Sequence, residues 1–271
     1  MNYSCIKKWQ EKPELHKLHD LPDPPKKLFC RGTYDPKIFQ KCSAVVGSRR
    51  MTNYGRQVID QIVPKLVLEG KTIVSGFMYG VDQYAHDVTI QNGGKTIAVL
   101  GWGINIPFEE ADEKLAAEII SHDGLFFSEW EDQRATLWTF PMRNRIVVAL
   151  CSEVIVIEAA VKSGSLITAK IANKLKRKLW AVPGPITSKT SAGTNALIAD
   201  GEAIMWAGIQ MKNESDKKSS DPLLKALQNE PLTTNELART LHKSVSEVGA
   251  QLSLFAITGE VIEREGKYYV S

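Results

Sequence analysis

A change of rhythm at Ser43 constrains this 271-residue chain more than any other feature. Beyond it, short runs rich in β-branched residues alternate with longer amphipathic stretches. The runs fall at 44–46, 72–74, 96–100, 125–127, 154–157 and 179–182, and they are almost wholly apolar. The stretches between them include 55–68, 111–120 and 166–175. Strands separated by helices imply a parallel sheet with right-handed crossovers, and strands this apolar are covered on both faces. The pattern predicts a Rossmann-like, doubly wound, mostly parallel α/β domain over 44–210.

The flanks read differently. Residues 1–43 are polar and punctuated by Pro13, Pro22, Pro24, Pro25 and Pro36, which suggests an irregular N-terminal arm ending in a short strand near 28–30. The stretch 211–220, MKNESDKKSS, has no apolar periodicity and reads as a linker. Residues 221–271 form a compact unit. Asp221-Pro222 opens a helix through Leu227, and Thr233-Thr234-Asn235-Glu236 resembles a capping box. A third helix spans 244–257 and ends at Gly259, and the runs 261–264 and 267–270 flank Glu265-Gly266 as a hairpin. Three helices and a β-wing are the elements of a small C-terminal winged helix.

Composition narrows the class. With 43% hydrophobic residues and a net charge of only +3, the chain is neither disordered nor a strongly basic chromatin-type protein. Cys5, Cys30, Cys42 and Cys151 make no C-x-x-C pair, so neither a zinc ribbon nor a redox motif is expected. Scattered thiols suit a cytoplasmic location. The N-terminal residues lack the apolar core of a signal peptide, and no apolar stretch approaches the ~20 residues that span a bilayer, so no membrane association is expected. The small net charge hides polarity. Residues 139–178 hold eight Lys and Arg against Glu153 and Glu158, whereas 108–132 hold nine acids against Lys114. A basic face with acidic surface elsewhere keeps nucleic-acid binding local.

Five loop motifs sit where helices open. Gly47-Ser48-Arg49-Arg50-Met51-Thr52 follows the first strand. Two guanidinium groups at a positive helix end are unfavourable unless an anion compensates, so Ser48, Arg49 and Arg50 read as a phosphate site rather than a solvated turn. In Ser75-Gly76-Phe77-Met78-Tyr79-Gly80-Val81-Asp82, Asp82 and His86 would share a helix face. The expectation is structural, with Asp82 at a helix N-terminus and His86 hydrogen-bonded inside. Gly101-Trp102-Gly103 lacks the third glycine and the acidic residue of a dinucleotide fingerprint. Phe140-Pro141-Met142-Arg143-Asn144-Arg145-Ile146 supplies cations for phosphates beside a ring on which a base can stack. Lys162-Ser163-Gly164-Ser165, opening a helix that carries Lys170, reads as an anion-binding nest. There is no P-loop and no Gly-x-Ser-x-Gly elbow.

Taken in order, these segments resemble the DprA/Smf family of DNA-processing proteins. The resemblance begins at Asp23-Pro24-Pro25 and runs through Val182-Pro183-Gly184 to Gly193-Thr194-Asn195-Ala196-Leu197-Ile198. Its most specific pieces are the 140–146 segment and Ser163-Gly164-Ser165-Leu166-Ile167-Thr168-Ala169. It implies a dimeric, cytoplasmic protein that binds single-stranded DNA, protects incoming strands during natural transformation and helps load RecA. It implies no catalytic activity, cofactor or metal. Carried over residue by residue, the DNA surface falls on Ser48, Arg49, Arg50, Phe140, Arg143, Asn144, Arg145, Lys162, Ser163, Gly164, Ser165 and Lys170. The chain departs from the pattern where Met78 and Tyr79 replace a small residue and a frequent arginine. Phe108-Glu109 stands where tyrosine-proline is usual. The helical N-terminal domain of many members is expected to be missing or reduced to the short arm.

Two other readings compete. A Rossmann-like nucleotide or phosphoribosyl hydrolase would use Ser75, Asp82 or Glu158 and need a small-molecule pocket. A transcription regulator would lead with the winged helix. Residues 211–271 carry eight Lys and Arg against nine acids, too few cations for a major-groove reader. That balance makes the C-terminal unit a protein-interaction or regulatory module.

Overall fold

The computed structural model describes residues 3–207, 221–257, 260–264 and 266–270. The chain separates into two compact units, Met1–Ile209 and Gln210–Ser271. The expected linker at 211–220 lies outside the described residues, as do Gly259 and Glu265.

In the first unit the described strands are β1 (Ser4–Cys5), β2 (Phe29–Gly32), β3 (Cys42–Val46), β4 (Thr72–Ser75), β5 (Thr96–Val99), β6 (Leu125–Ser128), β7 (Glu153–Val156), β8 (Lys178–Ala181) and β9 (Ile204–Met205). They form one sheet in the order β1-β2-β6-β5-β4-β3-β7-β8-β9. From β6 to β9 every pairing is parallel; β2 joins β6, and β1 joins β2, antiparallel. The helices are α1 (Asn53–Leu68), α2 (Val81–Gln91), α3 (Glu110–Ser121), α4 (Thr139–Leu150), α5 (Gly164–Lys174) and α6 (Ala192–Ala199). This is the doubly wound, Rossmann-like fold expected from the alternation.

Side-chain alternation decides the layers. In β3, Ala44 and Val46 join a core with α4 and α5, while Val45 joins a second core with α1 and α2. Every residue of β3 is buried because helices cover both faces. Burying each large apolar side chain stabilises the fold by about 1.5–3 kcal/mol.

The N-terminal arm is more ordered than its prolines suggested. Residues Pro13–Asp20 form a 3-10 helix with Pro13 at its first turn, where a missing N–H costs nothing. Three residues per turn place Leu15, Leu18 and Leu21 on one side, and all three are buried with Ile6, Trp9 and Leu28 in the core that includes α4. The Trp9 indole donates to the Pro25 carbonyl at 2.9 Å.

At the amino ends of the central strands, the Glu153 carboxylate accepts from Ser43 Oγ at 2.7 Å, Lys71 Nζ at 2.7 Å and Trp180 Nε1 at 3.0 Å. Lys71 also pairs with Glu69 at 2.8 Å. Burial raises the Glu153 carboxyl, but the bonds from Lys71 and Ser43 win and hold it below the usual range.

The second unit contains α7 (Pro222–Asn229), α8 (Thr234–Leu241), α9 (Val245–Ile257) and the antiparallel hairpin β10 (Val261–Arg264) and β11 (Lys267–Val270). Three helices and a hairpin are the elements of a winged helix. The expected capping box is present: Glu236 N–H donates to Thr233 Oγ1 at 3.3 Å and Thr233 N–H donates to Glu236 Oε2 at 2.7 Å. Ser244 and Glu247 repeat the same exchange before α9. Leu223, Leu227, Leu237, Val248, Leu252 and Val261 close a separate core.

Candidate nucleic-acid interface

The sheet order reverses at β3. Strands β4, β5 and β6 follow on one side, and β7, β8 and β9 on the other. Loops leaving the carboxyl ends of β3 and β7 must therefore diverge, and a doubly wound sheet opens its binding crevice there. A cleft of about 390 Å³ occupies this point.

Three loops and one helix build it. The β3–α1 loop brings Gly47, Ser48, Arg49 and Arg50 to the wall. Arg50 N–H donates to Ser48 Oγ at 2.9 Å, which tightens the turn. The β4–α2 loop is stitched alongside by Val81 N–H donating to the Ser48 carbonyl at 3.2 Å. Gly80 permits this approach: its φ is +90°, and a Cβ there would sit 2.5 Å from Ser48 O and 2.6 Å from Arg49 O. The β7–α5 loop adds Ala160, Ser163, Gly164 and Ser165. Ser163 caps α5 by accepting from Ser165 N–H at 3.3 Å.

Helix α4 supplies the fourth wall, and its periodicity sorts the residues. Phe140, Arg143, Asn144 and Val147, spaced i, i+3, i+4 and i+7, all line the cleft. Arg145 lies two positions from Arg143 and so points elsewhere. It pairs with Glu129 at 2.5 Å, with its side chain 12% exposed. Phe140 is held by Gly101, where a Cβ would stand 2.7 Å from the ring, and by Trp102 edge-on at 6.4 Å. The Arg49 guanidinium stacks over Phe140 at 4.8 Å from its centroid.

Of the residues read from sequence, Ser48, Arg49, Arg50, Phe140, Arg143, Asn144, Ser163, Gly164 and Ser165 converge here. Lys162 and Lys170 are exposed on the α5 side and do not line the cleft. Arg143 lines it only from beneath, at 3% exposure. Sequence reasoning missed Leu137, 93% exposed at the rim, and Pro141 and Thr168. Tyr79, noted there only as a departure, is a wall residue, 57% exposed. Arg49 and Arg50 are exposed, and among the described residues no carboxylate lies within ion-pair distance of either.

Of the residues a hydrolase would use, Ser75 and Glu158 are tied into the framework, whereas Asp82 lines the cleft, half-buried. Ser75 Oγ donates to the Val45 carbonyl at 2.6 Å. Glu158 accepts from Thr52 N–H at 2.9 Å, Thr52 Oγ1 at 2.6 Å and Thr190 Oγ1 at 3.2 Å. His86 is fully buried, its ring nitrogens 2.6 Å from Gly76 O and from Thr96 Oγ1. Burial lowers its pKa to about 4, so it is neutral at pH 7. Among the described residues no group of three His, Cys, Asp or Glu side chains could hold a metal ion, and no helix is long and apolar enough to cross a membrane.

The fold and the cleft define a class: a Rossmann-like protein whose switch-point crevice is lined by guanidinium groups without ion-pair partners among the described residues and by a clamped aromatic ring. Comparison with known proteins gives the family. Residues 6–215 match the family described as DNA recombination-mediator protein A, and the chain belongs to it. It is similar to the DNA processing protein DprA of Streptococcus pneumoniae, 40% identical over 192 residues that cover 70% of this chain and 67% of that protein. To its Bacillus subtilis counterpart it is 32% identical over 202 residues, 74% and 68% of the two chains. The Helicobacter pylori DNA processing protein A, whose structure concerns its single-stranded DNA binding mode, superposes with a TM-score of 0.67 at 32% identity over 76% of this chain and 91% of that one.

Proposed function

We propose that the chain binds single-stranded DNA in the switch-point cleft, as a recombination mediator that protects incoming strands and helps load RecA during natural transformation. The exposed, unpaired guanidinium groups of Arg49 and Arg50 carry this reading, set beside the clamped ring of Phe140. Cations over phosphates and a ring under a base are what an unpaired strand requires. Ser48, Arg49, Arg50, Phe140, Asn144, Ser163, Gly164 and Ser165 make the contacts, with Lys162 and Lys170 beyond the cleft attracting the flanking backbone. The work is binding rather than catalysis, because Ser75 and Glu158 are committed to framework bonds and the Asp82 carboxylate faces the Arg143 guanidinium. The relative from H. pylori supports the choice of ligand. The protein acts as a cytoplasmic homodimer, and its C-terminal unit engages protein rather than duplex DNA.

Fluorescence anisotropy with labelled oligo-dT and a matched duplex, across a salt series, tests this. The single strand should bind more tightly, and log K should fall linearly with log salt. Arg49→Ala and Arg50→Ala should each flatten that slope by about 0.7. Equal binding of both forms, or an unchanged slope in both variants, overturns the reading. Light scattering tests the dimer. RecA filament growth on single strands, timed with and without the protein, tests the loading step.

A further inference from the structure

We infer that Arg143 is not a strand contact. It faces Asp82, a half-buried residue of the cleft wall, and each offsets the other's charge there. The inference rests on the cleft being the strand site.

The geometry is specific. The Arg143 side chain descends from α4 and is 3% exposed. Its Nη1 donates to the Val99 carbonyl at the end of β5, and its Nε donates to Asn144 Oδ1 at 3.1 Å. Asp82 stands in the first turn of α2. A Cβ on Gly76 would collide with both the Asp82 carboxylate and the Arg143 guanidinium, so the two charges face each other across the space that this glycine leaves open. Arg143 thus ties α4 to the end of β5 and faces the first turn of α2 across Gly76. Burial lowers the guanidinium pKa to about 10 while Asp82 opposes the shift, so Arg143 stays charged at neutral pH.

The sign of the field follows. With the pair intact, the floor contributes little net charge, and the attraction for phosphate comes from Arg49 and Arg50 above it. Burial raises the Asp82 carboxyl and Arg143 opposes it, so removing Arg143 alone leaves at the anion site an acid whose remaining negative charge nothing offsets, at a cost of about tenfold or more in affinity. A phosphate contact would show the same loss in a single variant, so only the pair discriminates.

The test compares Asp82→Asn, Arg143→Met and the double variant in the full chain, using oligo-dT anisotropy across salt and thermal melting. Arg143→Met should lose at least about tenfold in affinity with its salt slope unchanged. The double variant should regain binding to within about threefold of the parent and melt above either single variant. Asp82→Asn alone should bind at least as tightly as the parent yet melt lower. A double variant that binds no better than Arg143→Met, has a flattened slope, or fails to melt above both singles overturns the inference. Failure of the single variants to fold beside a folded double variant supports it. If the parent does not bind oligo-dT at all, the strand-site reading fails, and the melting order alone decides the pairing.

Discussion

The two ends of the same parallel sheet handle charge in opposite ways. At the amino ends, Glu153 is saturated by Ser43, Lys71 and Trp180, and Lys71 is shared with Glu69. At the carboxyl ends, Arg49 and Arg50 stand exposed without an ion-pair partner among the described residues. A closed network holds strands together, whereas an open cluster keeps an unfavourable repulsion that a ligand relieves. Substitutions at the two ends should therefore separate stability from binding.

Glu153→Ala should give the largest effect, about 3 kcal/mol of stability, because it leaves Lys71 and Trp180 without their shared acceptor. Urea unfolding measures it, and affinity for oligo-dT should not change. A loss of affinity as large as the loss of stability would erase the distinction between the two ends.

His86 adds a pH dependence from within the cleft's framework. Its pKa falls from 6.5 in the unfolded chain to about 4 in the folded one, so the unfolded state takes up the proton first. Its contribution is complete above pH 6.5 and is lost as pH drops toward 4, about 3 kcal/mol in all. Denaturation at pH 7 and pH 4.5 should show it, and His86→Gln should flatten that part of the profile. A profile unchanged by the substitution would remove His86 as the cause.

Arg49→Ala comes next, with affinity for oligo-dT lower by about tenfold, or about 1.4 kcal/mol, and melting temperature nearly unaltered. A marked fall in melting would place Arg49 with the structural charges instead. The smallest effect belongs to Lys170→Ala, about twofold at low salt and undetectable at high salt, because an exposed lysine outside the cleft attracts only through screened solvent. A loss matching that of Arg49→Ala would extend the interface along α5.

Much of the fold was legible because it rests on short-range signals. The apolar runs gave the strands to within a residue or two, and Thr233 with Glu236 marked a helix start that the hydrogen bonds reproduce. The arm was harder. Leu15, Leu18 and Leu21 repeat every third residue, a 3-10 signature easily taken for irregularity among prolines. In the cleft, the loops were found from their residue types, but Arg143 and Arg145 were read together although a helix turns them apart. That correction was available from α4's own spacing. The approach of Asp82 and Arg143 to Gly76 and the exposure of Leu137 were not available, because each depends on distant segments meeting.

The placement of β7 beside β3 also governs the order in which the molecule can be completed at the ribosome. When β6 has been made, β3 has β4 on one side only, and its other edge waits for a strand that begins 25 residues later, at Glu153. At typical synthesis rates that wait lasts about 1–5 seconds. Through it the nascent chain carries a largely apolar, unpaired edge, the kind of surface that recruits strands from neighbouring chains. Slowed translation between codons 129 and 153 should therefore lower soluble yield more than the same slowing anywhere after β7.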